Sequence, residues 1–330
     1  MDFTIREFNP TDSEYEAIAK IGNAILPHMP TTASELKFED DNFNPEYTWK
    51  RFVIEFEGKI IGFGGYEDAY WSYQPGKFWV GLRVLPEYQG RGLGSQFYDH
   101  LLELLEPKDP SKLIAETRED FDKAIQFLEK RGFKKRMRFA TSELDLEKFC
   151  ATPFQQLLDR VNDEGIAIKS LPELKANDPD WMKKLYQLRW EILKDVPSPD
   201  PLTQDTIEQW DKEVLNNPRI FEDSWMVAVD GDQYVGYSNL WKILARPDKL
   251  DTGLTGVVRS HRRKGVCTAM KIRAFDVAKQ LGVKIIETEN EENNPMYQIN
   301  LRLGFEPRPA WLAFEKVIWD LEPHELNETG

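Results

Sequence analysis

The sequence predicts a mixed α/β (α+β) chain of two tandem domains, each a mixed, mostly antiparallel sheet with helices on both faces. Three observations carry this expectation. First, four landmarks recur in one order about 172 residues apart, a domain-sized period and not a solenoid repeat. They are Ile60-Ile61-Gly62 with Tyr234-Val235-Gly236, Gln89 with Arg262, Ala115-Glu116-Thr117 with Ile286-Glu287-Thr288, and Gly132-Phe133 with Gly304-Phe305. Second, short apolar runs with strand-like alternation stand between stretches of helical spacing. Third, 330 residues with 41% hydrophobic content exceed what one core needs and suit two.

Each half opens on an extended segment, Phe3 to Phe8 and Ile166 to Ser170, followed by a helix near 12–26 or 178–194. A hairpin comes next. In the first half it is Phe52 to Phe56, the turn Glu57-Gly58-Lys59, and Ile60 to Gly65. In the second it is Trp225 to Val229, the turn Asp230-Gly231-Asp232, and Tyr234 to Trp241. Gly in the turn between alternating runs is the local signal for such a reversal. A third strand enters a glycine loop, and a helix leaves it (Ser95 to Leu105; Thr268 to Leu281). A fourth strand (Leu113 to Thr117; Val283 to Thr288) should lie parallel to the third, because a helix connects them. A second helix and a closing strand after each Gly-Phe pair complete the half, glycine serving as the helix stop. The expected domains are 1–148 and 166–330, joined by a linker helix over 149–165.

Bulk properties exclude several classes. The formal charge of −14 gives a surface that repels nucleic acid and anionic lipid, so neither is expected as a partner. The basic runs Lys134-Lys135-Arg136 and Arg259 to Lys264 read as a solvated strand end and a phosphate loop. Two cysteines are too few for a disulfide framework, and neither a signal peptide nor a membrane-spanning run is visible. A cytoplasmic protein is expected. Its four histidines have no ligand spacing, so no metal site is expected.

The chemistry concentrates in Leu82-Arg83-Val84-Leu85-Pro86-Glu87-Tyr88-Gln89-Gly90-Arg91-Gly92-Leu93-Gly94-Ser95. This is a strand, a loop rich in backbone donors, and the opening of a helix whose positive end suits a diphosphate. The spacing G-x-G-x-G departs from the dinucleotide fingerprint G-x-G-x-x-G, and no Lys-Ser or Lys-Thr follows as in a P-loop. A degraded copy runs from Val257 through Arg262-Arg263-Lys264-Gly265-Val266-Cys267-Thr268.

On these residues the chain resembles the GCN5-related N-acetyltransferases (GNAT) in tandem, over nearly its whole length. Gln89-Gly90-Arg91-Gly92-Leu93-Gly94, after Val84-x-Pro86, fits that family's acyl-CoA motif at every position. The second copy has Arg263 for the first glycine and Cys267 for the last small residue. The resemblance implies acetyl-CoA as co-substrate and a primary amine of a small molecule or peptide as acceptor. It further implies two strands that splay apart, and a backbone N–H near Val84 or Val257 that polarises the thioester. Cofactor contacts are then expected from Leu82, Val84 and Gln89 to Ser95, and from Val257 and Arg262 to Thr268.

Candidate catalytic groups are Glu67, Glu116, Glu287 and Tyr297. Glu116 and Glu287 are read as equivalent by the repeat. The tyrosine that many members place four residues before Gly-Phe is Leu128 in one half and Asn300 in the other. Tyr297, one turn before Asn300, is the substitute acid, against the plainer reading of a packed tyrosine. The segment Glu39 to Trp49 mixes acids with aromatics and is read as a substrate loop for a cationic amine, or equally as a solvated helix cap. A protein that binds or senses acyl-CoA without turnover is the alternative to an enzyme.

Overall fold

Local chemistry explains where the elements begin in the computed structural model, which describes residues 3–318. The first half runs β1 (Thr4–Glu7), α1 (Asp12–Ile25), α2 (Ala33–Asn42), β2 (Trp49–Phe56), β3 (Lys59–Asp68) and β4 (Lys77–Val84). It continues through α3 (Leu93–Leu105), β5 (Lys112–Arg118), α4 (Asp122–Glu129) and β6 (Lys134–Asp145). The second half runs α5 (Gln155–Asp163), β7 (Ile166–Ser170), α6 (Leu171–Asn177), α7 (Trp181–Leu193), α8 (Ile207–Trp210), β8 (Met226–Asp230) and β9 (Gln233–Lys242). It ends with β10 (Lys249–Val257), α9 (Val266–Gln280), β11 (Ile285–Glu291), α10 (Pro295–Arg302) and β12 (Glu306–Val317).

The hydroxyl of Thr11 caps α1 by accepting from the Glu14 N–H, and Tyr15, Ile18, Ala19 and Gly22 form its buried stripe. Thr32 and Glu35 close a reciprocal capping box on α2, a helix within the segment read from sequence partly as a loop. Glu57 and Gly58, at φ 49° and 71°, turn β2 back into β3.

The compact units do not follow chain order. One takes the chain up to His28, then Asn44–Arg138, and resumes at Trp311; the other takes Met29–Phe43 and Phe139–Ala310. In the first unit the strand order is β1-β2-β3-β4-β5 and then residues 311–317 of β12, antiparallel to β5. In the second it is β7-β8-β9-β10-β11 and then residues 139–145 of β6, antiparallel to β11. Each half therefore closes its sheet with the other half's last strand. The expected borders at 148 and 166 follow chain order, whereas the compact units divide β6 and β12, and α5 lies inside the second unit.

Within each unit the third and fourth strands are parallel, as a helical crossover requires. Their pairing is short: Lys77↔Lys112 to Trp79↔Ile114 in one, Lys249↔Ile285 to Asp251↔Glu287 in the other. Beyond those rungs β4 and β5, and likewise β10 and β11, continue without pairing to each other. Main-chain groups along the parted edges then face the gap. A bulge between Thr252 and Thr255 bends β10 at the same level. The first core packs α3 (Leu93, Phe97, Leu101, Leu105) on β4 and β5, and the second packs α9 (Val266, Ala269, Met270, Phe275) on β10 and β11.

Candidate active site

Both loops keep one backbone form despite different residues. Gly90 and Gly92 have φ 75° and 83°; Arg263 and Gly265, at matching places, have φ 65° and 92°. Arg263 thus accepts a left-handed conformation that disfavours any residue with a Cβ, and the phosphate-loop shape survives without its first glycine. Gln89 and Arg262 also do one job: Nε2 of Gln89 donates to the Val84 carbonyl at 2.8 Å, and Nε of Arg262 to the Val257 carbonyl at 3.0 Å. Each pins the loop to the tip of its strand. Arg91 folds back on its own loop, donating to the Glu87 carbonyl at 2.8 Å over the Tyr88 ring. Leu93 and Val266 are core residues.

The last small residue of the motif has a packing reason. A Cβ on Gly94 would lie 3.0 Å from the Phe127 ring and 3.7 Å from Leu82, while Arg131 covers that ring at 3.6 Å and donates to Ser95 at 2.7 Å. In the second unit the matching pair is Cys267 and Ile299. The larger residue on one helix is met by a smaller one on the other, so Cys267 is compensated and not a defect.

A cavity of about 860 Å³ opens in the second unit where β10 and β11 part. Its walls include Thr252 to Val257, Arg262, Arg263 and Gly265 to Thr268, Thr288 to Glu291, and Met296, Ile299 and Arg302 of α10. Lys264 of the expected set is turned outward, paired with Glu164 at 3.1 Å. Helix α5, expected only as a linker, forms part of the wall. Leu157 lies so close that a Cβ on Gly265 would meet it at 2.6 Å, and Arg160 donates to the Lys264 carbonyl at 3.3 Å. Asp195, after α7, receives both Arg259 and Arg262, which hold its pKa down to about 2. The cavity belongs to the copy of the loop that departs further from the motif.

The carboxylates fall into register rows that the sequence does not reveal. Trp49, Glu67, Trp79 and Ile114 are consecutive partners across the first unit. Trp241, Asp251, Glu287 and Glu143 form the same row in the second. Glu67 therefore holds the place of Trp241, and Trp79 that of Asp251. In both units an indole covers the glycine beyond the last rung: a Cβ on Gly81 would meet Trp79 at 2.3 Å, and one on Gly253 would meet Trp241 at 2.3 Å.

The expected equivalence of Glu116 and Glu287 is corrected by this register. Glu116 stands four residues beyond the Lys77↔Lys112 rung and opposite Ala313; Glu289 stands four beyond Lys249↔Ile285 and opposite Thr141. Glu116 corresponds to Glu289, and both are exposed at the parted strands. Glu287 is instead buried, with burial pushing its pKa up while Lys249 Nζ, at 2.8 Å, opposes the shift. The same ammonium donates to Glu143 at 2.8 Å, whose pKa is held down, against burial, by Lys249 and Arg308.

Asp251 went unnoticed in the sequence, where nothing marks it apart from other strand acids. It sits on the last rung before the gap, beside Glu287, with 37% of its side chain exposed. The protein atoms around it still raise its pKa to about 6, chiefly by lost solvation, with Arg219 opposing and Glu287 adding.

Tyr297 does not line the cavity, to which α10 contributes Asn294, Pro295, Met296, Ile299 and Arg302. Asn300 is buried and donates to Asn290 at 2.6 Å, tying α10 to β11, and its own Oδ1 has no partner.

Paired units, each with parted parallel strands and a left-handed loop feeding a helix N-terminus, define an acyltransferase type of architecture. The chain belongs to the acetyltransferase (GNAT) family, whose profile matches residues 16–133 and 182–305. Among solved structures it is similar to a tandem GNAT protein from the clavulanic acid biosynthesis pathway, in a structure without AcCoA. That similarity has a TM-score of 0.74 at 18% identity, covering 96% of this chain and 98% of that one. A GCN5-related N-acetyltransferase from Sphaerobacter thermophilus has a TM-score of 0.70 at 18% identity, covering 96% and 95%. No curated protein sequence matches the chain. Among the described residues, no helix is long and apolar enough to cross a membrane.

Proposed function

We propose that the protein transfers an acetyl group from acetyl-CoA to a primary amine of a small molecule or peptide, and that the second unit does so. The observation that carries this reading is the 860 Å³ cavity between parted strands at the N-terminus of α9. Its residues fit the co-substrate. Left-handed Arg263 and Gly265 turn loop amides toward a helix N-terminus, and Arg160, Arg262, Arg263 and Arg302 surround a site suited to a nucleotide diphosphate. Acetyl-CoA would supply the activated thioester.

The chain supplies the rest. Main-chain N–H groups of β10 beyond its last rung to β11 suit an oxygen that gains negative charge. Asp251, on the last paired rung and next in chain to Thr252 of the cavity wall, suits removal of a proton from the acceptor nitrogen through water. Its raised pKa makes it a stronger base than an ordinary carboxylate, and it remains ionised at neutral pH. Glu287, committed to Lys249, is a structural neighbour in this reading. The two free cysteines accord with a reducing, cytoplasmic setting.

The test is release of free thiol from acetyl-CoA across a panel of amines, with Asp251→Asn in parallel. Activity should fall as pH drops through about 6, because the base must be ionised. Asp251→Asn should lose that limb and about 10²–10⁴-fold in rate. Saturable acetyl-CoA binding with no thiol release on any amine would favour the non-catalytic alternative.

A further inference from the structure

Lys271 is the anomaly of the second unit. It lies on α9 with 1% of its surface exposed, and its Nζ has no hydrogen-bond partner. An ammonium buried in this way is destabilising, and natural cores almost always give it a carboxylate or a carbonyl. Nearby are the Phe305 ring, 5.9 Å from Nζ, and Cys267 one turn earlier, whose thiol also feels Arg262 from the loop. Arg302 of α10 shares the cavity wall. None of these offers an acceptor of the kind Lys249 finds in Glu143 and Glu287. The first unit places Tyr98 at the same point, and there Lys316 donates to its hydroxyl at 3.0 Å. The fold therefore does not require an unpartnered ammonium here.

Position shows what the partner would be. Lys271 belongs to the cavity lining, with its ammonium buried at the wall. The loop and its arginines gather at the N-terminus of α9, where the diphosphate is read. Lys271 stands five residues further along, about 7.5 Å at 1.5 Å rise per residue, below the phosphate level. Ile299 of α10 shares the cavity wall with Lys271, and Asn300 beside it is buried. Breaking the thioester leaves a thiolate inside this cavity, and neither of these α10 side chains carries an acid.

We propose that Lys271 faces the sulfur of coenzyme A and is the proton donor to the departing thiolate. This rests on the acetyl-transfer reading above. The acceptor nitrogen forms its bond to the acetyl carbon, the carbon–sulfur bond breaks, and its electron pair takes a proton from the Lys271 ammonium. Free coenzyme A thiol and a neutral lysine amine result. The proton lost by the acceptor nitrogen returns the amine to the ammonium through solvent. Burial lowers the Lys271 pKa to about 8, close to that of a thiol, so the transfer is nearly balanced.

The experiment titrates the thiol of coenzyme A bound to the wild type and to Lys271→Met, by thiolate absorbance. Lys271→Gln serves as second variant if the methionine form does not fold. The bound thiol should ionise at least about one pH unit lower in the wild type, a tenfold difference in its acidity. With an amine that turns over, Lys271→Met should lose about 10²-fold in kcat or more and keep its KM for acetyl-CoA. Equal thiol ionisation in wild type and variant, with coenzyme A bound to both, overturns the assignment. If coenzyme A binds but no amine is acetylated, the transfer reading fails while the thiol titration still decides the placement of Lys271. If coenzyme A does not bind the wild type, both fall.

Discussion

Replacing Lys271 by methionine should make the protein more stable, and the amount follows from burial. The lysine pKa drops from 10.5 to about 8 because desolvation disfavours the ammonium, with only Cys267 opposing. At 1.36 kcal/mol per pH unit, the protonated folded form is disfavoured by about 3 kcal/mol. Methionine has nearly the same length, carries no charge and belongs in a core beside Phe305. The gain depends on pH in a defined sense. Below pH 8 the amine is protonated in folded and unfolded chains alike, and the whole penalty is present. Between pH 8 and 10.5 the folded chain gives up the proton while the unfolded chain keeps it. Wild-type stability then rises with pH relative to the variant.

Urea unfolding of wild type and Lys271→Met at pH 7 and near pH 10.5 measures both quantities. The variant should lead by about 3 kcal/mol at pH 7, and most of that lead should vanish at the higher pH. A lead of equal size at both pH values, or a less stable variant at pH 7, would refute the reasoning.

Two further outcomes concern the loops. Gly94→Cys should cost about 1–3 kcal/mol by driving a side chain into Phe127, and Phe127→Ile in the same chain should recover at least about 1 kcal/mol of it. Thermal unfolding of the four members of that cycle reads the coupling, and strictly additive effects would deny the size exchange. Arg263→Gly relieves a left-handed arginine and should raise stability by about 0.5–1 kcal/mol net of the added chain freedom, while weakening coenzyme A binding. A loss of stability in that variant would show the φ of 65° to be supported by contacts of the arginine.

Much of the fold was legible because it is local. Gly58, Gly92, Gly132 and Gly304 mark turns and helix ends through their own backbone preferences, and α1, β2, β3, α3 and α9 fall close to where periodicity puts them. The loop at Gln89 to Ser95 and its copy at Arg262 to Thr268 were recognisable for the same reason: phosphate loops use neighbouring amides. The proposed base was not recognisable. Asp251 acquires its raised pKa from burial, with Glu287 on the neighbouring strand adding to it and Arg219 opposing, and register alone moves Glu116 opposite Ala313 and away from equivalence with Glu287. Lys271 looked like any helical lysine, since burial belongs to the environment and not to the residue.

The sequence by itself determined a duplicated α/β chain with two phosphate-type loops, because repeats, turns and helix caps are written in contiguous residues. Tertiary structure decided which strand closes which sheet. The strands after Gly132-Phe133 and Gly304-Phe305 run antiparallel to β11 and β5, so each half's last strand completes the other half's sheet, a pairing over a chain distance that local residues do not report. It also decided where the cavity lies. Phe127 packs on Gly94 in the first unit, and in the second, left-handed Arg263 and Gly265 keep the loop shape beside the cavity. A motif reports backbone geometry, and room for a ligand depends on every side chain that surrounds it.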